Sequence, residues 1–324
     1  MKSTIIKAPA KVNLYLDVFS RRPDGYHNIE TIFEKIDLCD WIKVSVIPRG
    51  IKLACEMPEG CENSALLDNV NNTAYRAAKL LCERYNLRCG FKIELDKRIP
   101  IASGLGGGSS DAAAVLLSIC NLLNIKIEKQ ALLKLAAEIG ADVPFFVSGY
   151  NRAFATGIGE QLHPLKQNQN MYFLLVVPDI KISTKSVYAS LRAPKGRSNP
   201  KNSGLLRQSQ AFGLRRNDGD YIPVNLNLTK KRRDVSMLCH NLENLAVYNI
   251  KDILFNKLEE VVLPSYPVLH DIKKALKKTG AEGIIVSGSG SVVYGVFQSR
   301  KEAMRAESKL MKKGNWQLFL ARNC

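Results

Sequence analysis

A glycine- and serine-rich run, Pro100-Ile101-Ala102-Ser103-Gly104-Leu105-Gly106-Gly107-Gly108-Ser109-Ser110-Asp111, separates an alternating segment, Phe91 to Leu95, from a block of helix formers, Ala112 to Leu123. A strand must turn into a helix across this run, and residues without a Cβ permit the positive φ angles such a turn needs. The same composition leaves backbone N–H groups unobstructed at the positive end of the coming helix. That arrangement holds anions, polyphosphates above all. A turn that merely lets the helix sit close to the strand is the alternative. Spacing excludes two familiar phosphate loops. A Walker A loop needs Lys and then Ser or Thr after its last glycine, whereas Ser109 follows Gly108 directly. The dinucleotide fingerprint needs a third glycine where, counting from Gly106, Ser109 stands.

The 324 residues suffice for two domains with separate cores, and 46% hydrophobic with 24% charged residues is an ordinary globular balance. No apolar run approaches bilayer length, so no membrane partner is expected. Thr4-Ile5-Ile6 already reads as a strand, which leaves no room for a leader. Eight scattered cysteines form no C-x-x-C pair, and four histidines are too few to complete a metal site. The expected compartment is the cytoplasm. The net charge of +17 is concentrated between Arg192 and Asp234, where eleven Lys or Arg face three Asp. That stretch lacks periodicity and is rich in Gly, Ser, Asn and Pro. It reads as a solvated basic insertion near residues 192–240, with a nucleic-acid arm as the alternative.

Alternation predicts strands at Ile5 to Ala8, Val12 to Val18, Ile29 to Ile36, Trp41 to Val46 and Phe91 to Leu95. Helical periodicity predicts Asn72 to Tyr85, Ala112 to Leu123, and Lys129 to Ile139 with Gly140 as its stop. Further on, helices are expected at Ile250 to Val261, Leu269 to Lys278 and Arg300 to Lys313. Strands are expected at Ala153 to Thr156, Met171 to Val177, Gly283 to Val286, Val292 to Phe297 and Trp316 to Ala321, with a second glycine turn at Ser287 to Ser291. The later elements form a β–turn–β–α–β unit of α+β type.

Three clusters could carry chemistry. Lys11 and Asn13 share parity on a strand and project from one face, though either could be an ordinary surface position. Asp142 follows a helix stop and precedes Val143-Pro144-Phe145-Phe146, so it is either an N-cap or a carboxylate at the rim of a cleft. Gly25-Tyr26-His27, with Ser183-Thr184 and Tyr188 at a distance, could sandwich a nucleobase.

Taken together, KAPAKVNLYL, PIASGLGGGSSDAAA and SGSGSVVYGVF, in that order, resemble the GHMP kinases, a superfamily of small-molecule kinases. Within it, RRPDGYHNIETIF, GADVPFF and ATGIGEQLHPL resemble the members that act on a cytidine diphosphate-linked methylerythritol. The resemblance implies an α+β, two-domain GHMP kinase architecture. An N-terminal ATP-binding and catalytic domain over residues 1–163 would resemble the second domain of a small-subunit ribosomal protein. A ferredoxin-like substrate-binding domain would span residues 164–324. It also implies ATP as co-substrate along Pro100, Ile101, Ala102, Ser103, Gly104, Leu105, Gly106, Gly107, Gly108, Ser109 and Ser110, with Mg²⁺ bridging phosphate oxygens. By the same resemblance Asp142 is the base for the substrate hydroxyl, and Lys11 holds Asp142 and steadies the transferring group. Tyr26 and Tyr188 would stack on cytosine and His27 would read its polar edge, while Asn13, Lys97 and Thr184 would contact the methylerythritol or diphosphate portion. The implied product is phosphorylated at the 2-hydroxyl. A small-molecule substrate, no nucleic-acid partner, and a monomer or weak homodimer complete these expectations. A homoserine or mevalonate kinase of the same superfamily would not need the Tyr26-His27 loop, and a nucleic-acid binder would leave Asp142 unused.

If the basic stretch is peripheral, deleting Gly196 to Asn217 leaves kinase activity in place. Total loss of turnover in a folded deletion product would contradict that view.

Overall fold

Two long antiparallel strands, β1 (Ser3–Arg21) and β2 (His27–Ile47), form the spine of the first half, paired from Ser3↔Ser45 to Arg21↔His27. The sequence pattern suggested four shorter strands. Register shifts at Pro9/Ala10, Asn13/Tyr15 and Val18/Arg21 bend β1 without ending it, and the first also accommodates a proline that cannot donate to the ladder. The computed structural model describes residues 2–57, 70–191 and 250–324, together with residues 214–215, 221–222 and 239. Most of the basic stretch 192–240 thus lies outside the described residues.

The first sheet continues through β3 (Ile51–Glu56), α1 (Thr73–Arg84) and β4 (Gly90–Asp96), then α2 (Gly107–Leu123), α3 (Lys129–Ile139) and α4 (Val143–Val147), and closes with β5 (Arg152–Thr156) and β6 (Gln161–Pro164). Asn72 caps α1, its Oδ1 accepting the Ala74 N–H at 2.8 Å. β2 pairs with β4 along its far half and with β5 along its near half, so one strand serves two neighbours on the same edge. Helix α2 is apolar along most of its length. Ala112, Ala113, Ala114, Val115, Leu116 and Ile119 are all buried in a core shared with α1, α3, α4 and the sheet. It begins at Gly107 rather than Ala112, because Gly106 takes a left-handed φ of 73° and serves as N-cap.

The second sheet starts with β7 (Tyr172–Val177) and α5 (Thr184–Ala189). A two-residue ladder of β8 (Leu214–Arg215) with β9 (Tyr221–Ile222) follows. Then come α6 (Ile250–Ile253), β10 (Phe255–Asn256), α7 (Glu259–Ser265), α8 (Pro267–Lys277), β11 (Gly283–Val286), β12 (Val293–Phe297), α9 (Arg300–Leu310) and β13 (Gln317–Arg322). The strand order β11-β12-β7-β13, all antiparallel, is the split βαβ pattern of a ferredoxin-like unit. Leu269, Ile272 and Leu276 of α8 and Ala303, Ala306 and Leu310 of α9 cover its face. The single helix expected from Ile250 to Val261 is broken. Asn256 pairs with Leu16 and makes β10 a parallel strand on β1, so the second half of the chain returns a strand to the first sheet.

Arg152 and Glu34 are both fully buried and form an ion pair between β5 and β2. Gln167 Nε2 donates to Glu34 Oε1 at 2.6 Å, and the Lys166 carbonyl accepts from Arg152 Nη1 at 3.0 Å. Burial raises the Glu34 pKa and Arg152 opposes it. Among the described residues no helix is long and apolar enough to cross a membrane. Replacing Arg152 by Met strands the Glu34 carboxylate, so urea denaturation is expected to show a loss of about 3–5 kcal/mol; an unchanged midpoint would show the pair to be dispensable.

Candidate active site

The glycine run is shaped by three positive φ angles, 54° at Ala102, 81° at Gly104 and 73° at Gly106. The last residues of the run, Gly107 to Ser110, are already the first turn of α2. Their N–H groups include the donors that no helical carbonyl can reach. No side chain caps this end, and Gly106, Gly107, Gly108 and Ser109 line a cavity of about 1290 Å³. The turn thus packs the helix closely on its neighbours, and its uncapped end opens onto the cavity. Gly106 comes close to Lys11 and Phe146, and Gly107 to Ile99.

The second glycine turn, Ser287 to Ser291, meets the first backbone to backbone. Ser287 Oγ donates to the Gly104 carbonyl at 3.1 Å and the Val292 N–H donates to the Ser103 carbonyl at 3.2 Å. A Cβ on Gly104 would overlap the Ser287 carbonyl oxygen. Asn256 fixes the turn from behind, its Nδ2 donating to the Val286 carbonyl at 2.9 Å and the Gly288 carbonyl at 2.7 Å. Gly288 is thereby held beside the Asn13 amide and the Lys11 ammonium.

Lys11 is 4% exposed, and its backbone N–H donates to the Leu105 carbonyl at 2.9 Å, tying β1 to the loop. Its Nζ donates to Asn13 Oδ1 at 2.6 Å, lies 3.5 Å from Asp142 Oδ2, and sits 5.4 Å from the Phe33 ring centre. Asn13 is oriented in turn by Thr31 Oγ1, which accepts from Nδ2 at 2.8 Å and donates to the Tyr15 carbonyl at 2.7 Å. Asp142 occupies the N-cap position of α4 yet makes no capping bond, and its side chain remains 31% exposed towards the cavity it lines. A capping aspartate would have turned its oxygens to the helix N–H groups. This one faces a lysine.

A line of neighbours continues away from the loop. Burial and then the Asp142 charge raise the Tyr188 phenol, whose ring lies 5.7 Å from that of His27. Burial, and after it Arg21, lower the His27 pKa, leaving the imidazole neutral at pH 7 and able to both donate and accept. Tyr26 is 58% exposed on the turn between β1 and β2 and also lines the cavity. Thr184 Oγ1 shares a 2.7 Å hydrogen bond with Ser289 Oγ and joins α5 to the second glycine turn. Lys97 lines the same cavity, and its ammonium is taken up by Asp40 and, at 2.6 Å, by Asp111 Oδ2.

The family models described as "GHMP kinases N terminal domain" and "GHMP kinases C terminal" match residues 72–150 and 230–315. A 4-diphosphocytidyl-2-C-methyl-D-erythritol kinase from Geobacter metallireducens is 38% identical over 317 residues, which are 98% of this chain and 97% of the relative. The chain belongs to the GHMP kinases. A crystal structure of a 4-(cytidine 5'-diphospho)-2C-methyl-D-erythritol kinase superposes with a TM-score of 0.69 at 31% identity, covering 98% of this chain and 99% of that one. A homoserine kinase from Cytophaga hutchinsonii reaches a TM-score of 0.68 at 19% identity, covering 100% and 95%, which speaks for the shared fold alone. In and around this cavity stand residues that motif reading passed over. Gly288 and Ser289 carried a signal in the second glycine run. Thr31, Phe33, Asp40 and Asn256 carried none, because they matter only through contacts between distant elements.

Replacing Gly104 by Ala places a Cβ against the Ser287 carbonyl at a positive φ. The expected cost is about 1–3 kcal/mol, seen as a lower thermal midpoint together with slower ATP turnover. Normal values for both would mean the two turns do not need this contact.

Proposed function

We propose that this chain transfers the γ-phosphoryl group of ATP to the 2-hydroxyl of 4-diphosphocytidyl-2-C-methyl-D-erythritol, a step in the non-mevalonate route to isoprenoid precursors. The observation that carries the reading is the unbroken run from Gly106 to Lys11, Asp142, Tyr188 and His27 along one cavity. It supplies a phosphate cradle, a cation, a carboxylate and a ring pair in the order that the two substrates require.

The triphosphate lies on the first-turn N–H groups of α2, where the helix dipole offsets its charge. Asp142 receives the hydrogen bond of the substrate hydroxyl. As that oxygen bonds to the γ-phosphorus, the bond from phosphorus to the β,γ-bridging oxygen breaks and ADP departs. The hydroxyl proton passes to Asp142 and then to solvent. A carboxylate is a weak base for an alcohol, so in a loose transition state its larger contribution is to orient the attacking oxygen. Lys11 stands where charge develops on the transferred group, and its 2.6 Å bond to Asn13 holds the ammonium in place without cancelling its charge. The cytosine ring would stack with Tyr26 and Tyr188, with the neutral His27 edge beside its polar groups.

Mg²⁺ would supply charge neutralisation on the phosphates. Among the described residues no three His, Cys, Asp or Glu side chains converge on a metal position. An ion arriving with the nucleotide would need only one or two carboxylates beside the phosphates, and Asp111 and Asp142 line the same cavity. One chain supplies the loop, the Lys11–Asp142 pair and the ring pair, which supports a monomer or weak homodimer acting on a small molecule. Cys39, Cys82, Cys89, Cys120 and Cys324 are free thiols, which supports a reducing, cytoplasmic setting.

Purified protein is expected to consume ATP only when the cytidylylated methylerythritol is present, and Asp142→Ala to lower kcat by about 10²–10⁴-fold. Folded wild type without substrate-dependent turnover would overturn the assignment. Tyr26→Ala should raise the KM for the cytidylylated substrate and leave that for ATP nearly unchanged; equal losses for both would remove Tyr26 from the base-binding end.

A further inference from the structure

Both ends of the phosphate loop are tied to one residue of β2. Asp40 is fully buried, and its Oδ1 accepts the backbone N–H groups of Arg98 at 2.5 Å and Ile99 at 2.8 Å, in the segment leading into the loop. Its Oδ2 takes the Lys97 ammonium, which reaches on to Asp111 Oδ2 at 2.6 Å, one turn into α2 beyond the loop. Lys97 and Asp111 are 5% and 3% exposed, and both line the cavity. We propose that Asp40 is a positioning residue for ATP, acting through Lys97 and Asp111 to hold the two ends of the Pro100–Gly106 loop at a fixed separation before the nucleotide arrives. The proposal rests on the reading of this loop as the ATP site.

The cluster has a charge that a merely structural clasp would not need. Asp111 Oδ1 is buried with no hydrogen-bond partner. The charged groups facing Asp111 are Lys97 from the end of β4 and Asp40 from β2, while Arg98 turns outward to Asp96 at 2.7 Å. On the α1 side, the contact is the neutral Thr73 hydroxyl, which donates to the Gly108 carbonyl at 2.6 Å. Burial, opposed by Lys97 and reinforced by Asp40, brings the Asp111 pKa up to about 7. Below that pH one ammonium balances one carboxylate. Above it the cluster carries a net negative charge beside the place of the triphosphate, so nucleotide binding weakens as pH rises.

The test is direct binding of a non-hydrolysable ATP analogue with Mg²⁺, measured by calorimetry from pH 6 to 8.5, alongside binding of the cytidylylated substrate. Asp40→Asn and Lys97→Met are expected to weaken the analogue about tenfold, the worth of one charged hydrogen bond, and to leave the cytidylylated substrate within about twofold. Asp111→Asn should match wild type at pH 6 and bind the analogue more tightly than wild type at pH 8.5. Hydrogen exchange should quicken at the loop amides in Asp40→Asn. Wild type that fails to bind the analogue at all would overturn the ATP reading itself. Wild-type binding with unchanged analogue affinity in both Asp40→Asn and Lys97→Met would overturn the positioning role alone. So would equal weakening of both ligands, or unfolding of both variants, since the cluster would then serve the fold as a whole.

Discussion

The two sheets meet where Gly104 lies against the carbonyl of Ser287, main chain on main chain. No side chain separates them, so neither rotamer choice nor side-chain flexibility can alter the spacing. From this contact the rest of the site takes its dimensions. Leu105, the next residue, accepts the N–H of Lys11 and so places β1, and Gly288, next to Ser287, abuts Asn13 and Lys11. The first glycine loop belongs to the first half of the chain and the second glycine turn to the other half. Their relation is as stiff as a backbone hydrogen-bond ladder.

Three buried cations illustrate how the chain separates structure from chemistry. Arg152 is matched by Glu34 and Lys97 by two carboxylates, so neither has charge to offer a substrate. Lys11 is different. Its short bond goes to an amide oxygen, and the nearest carboxylate, Asp142, stands off at 3.5 Å. Burying an incompletely matched ammonium costs stability, which a phosphate in the proposed reaction would recover.

Much of this was legible in the chain. Lys129–Ile139 matched its predicted span because its periodicity and the Gly140 stop agree. Lys11, Asn13 and Asp142 sit in compact motifs, and the structure joins them by a hydrogen bond from Lys11 to Asn13 and an ion pair at 3.5 Å to Asp142. The failures have a common cause. The helix expected from Ile250 to Val261 was broken by Asn256, whose amide is engaged by carbonyls some thirty residues away at Val286 and Gly288. The loop–helix border was misplaced because left-handed Gly106 starts the helix among residues whose intrinsic helix propensity is poor. Lys97 gave no sign of its carboxylate partners, because only tertiary structure puts Asp40, from a segment with no motif of its own, against it. Local pattern encodes elements; long-range partners decide what a charged side chain is for.

The parallel pairing of β10 with β1 has a consequence for motion. Two-lobed enzymes commonly close over their substrates about a single flexible joint. Here the chain passes from the first lobe to the second and then lays Phe255 and Asn256 back into the first sheet. That second tether removes the free rotation axis that a lone linker would provide. Large swings of one lobe against the other would have to peel a strand from its ladder. Side-chain and loop adjustments around the cavity leave this ladder in place, whereas a clamshell motion would not.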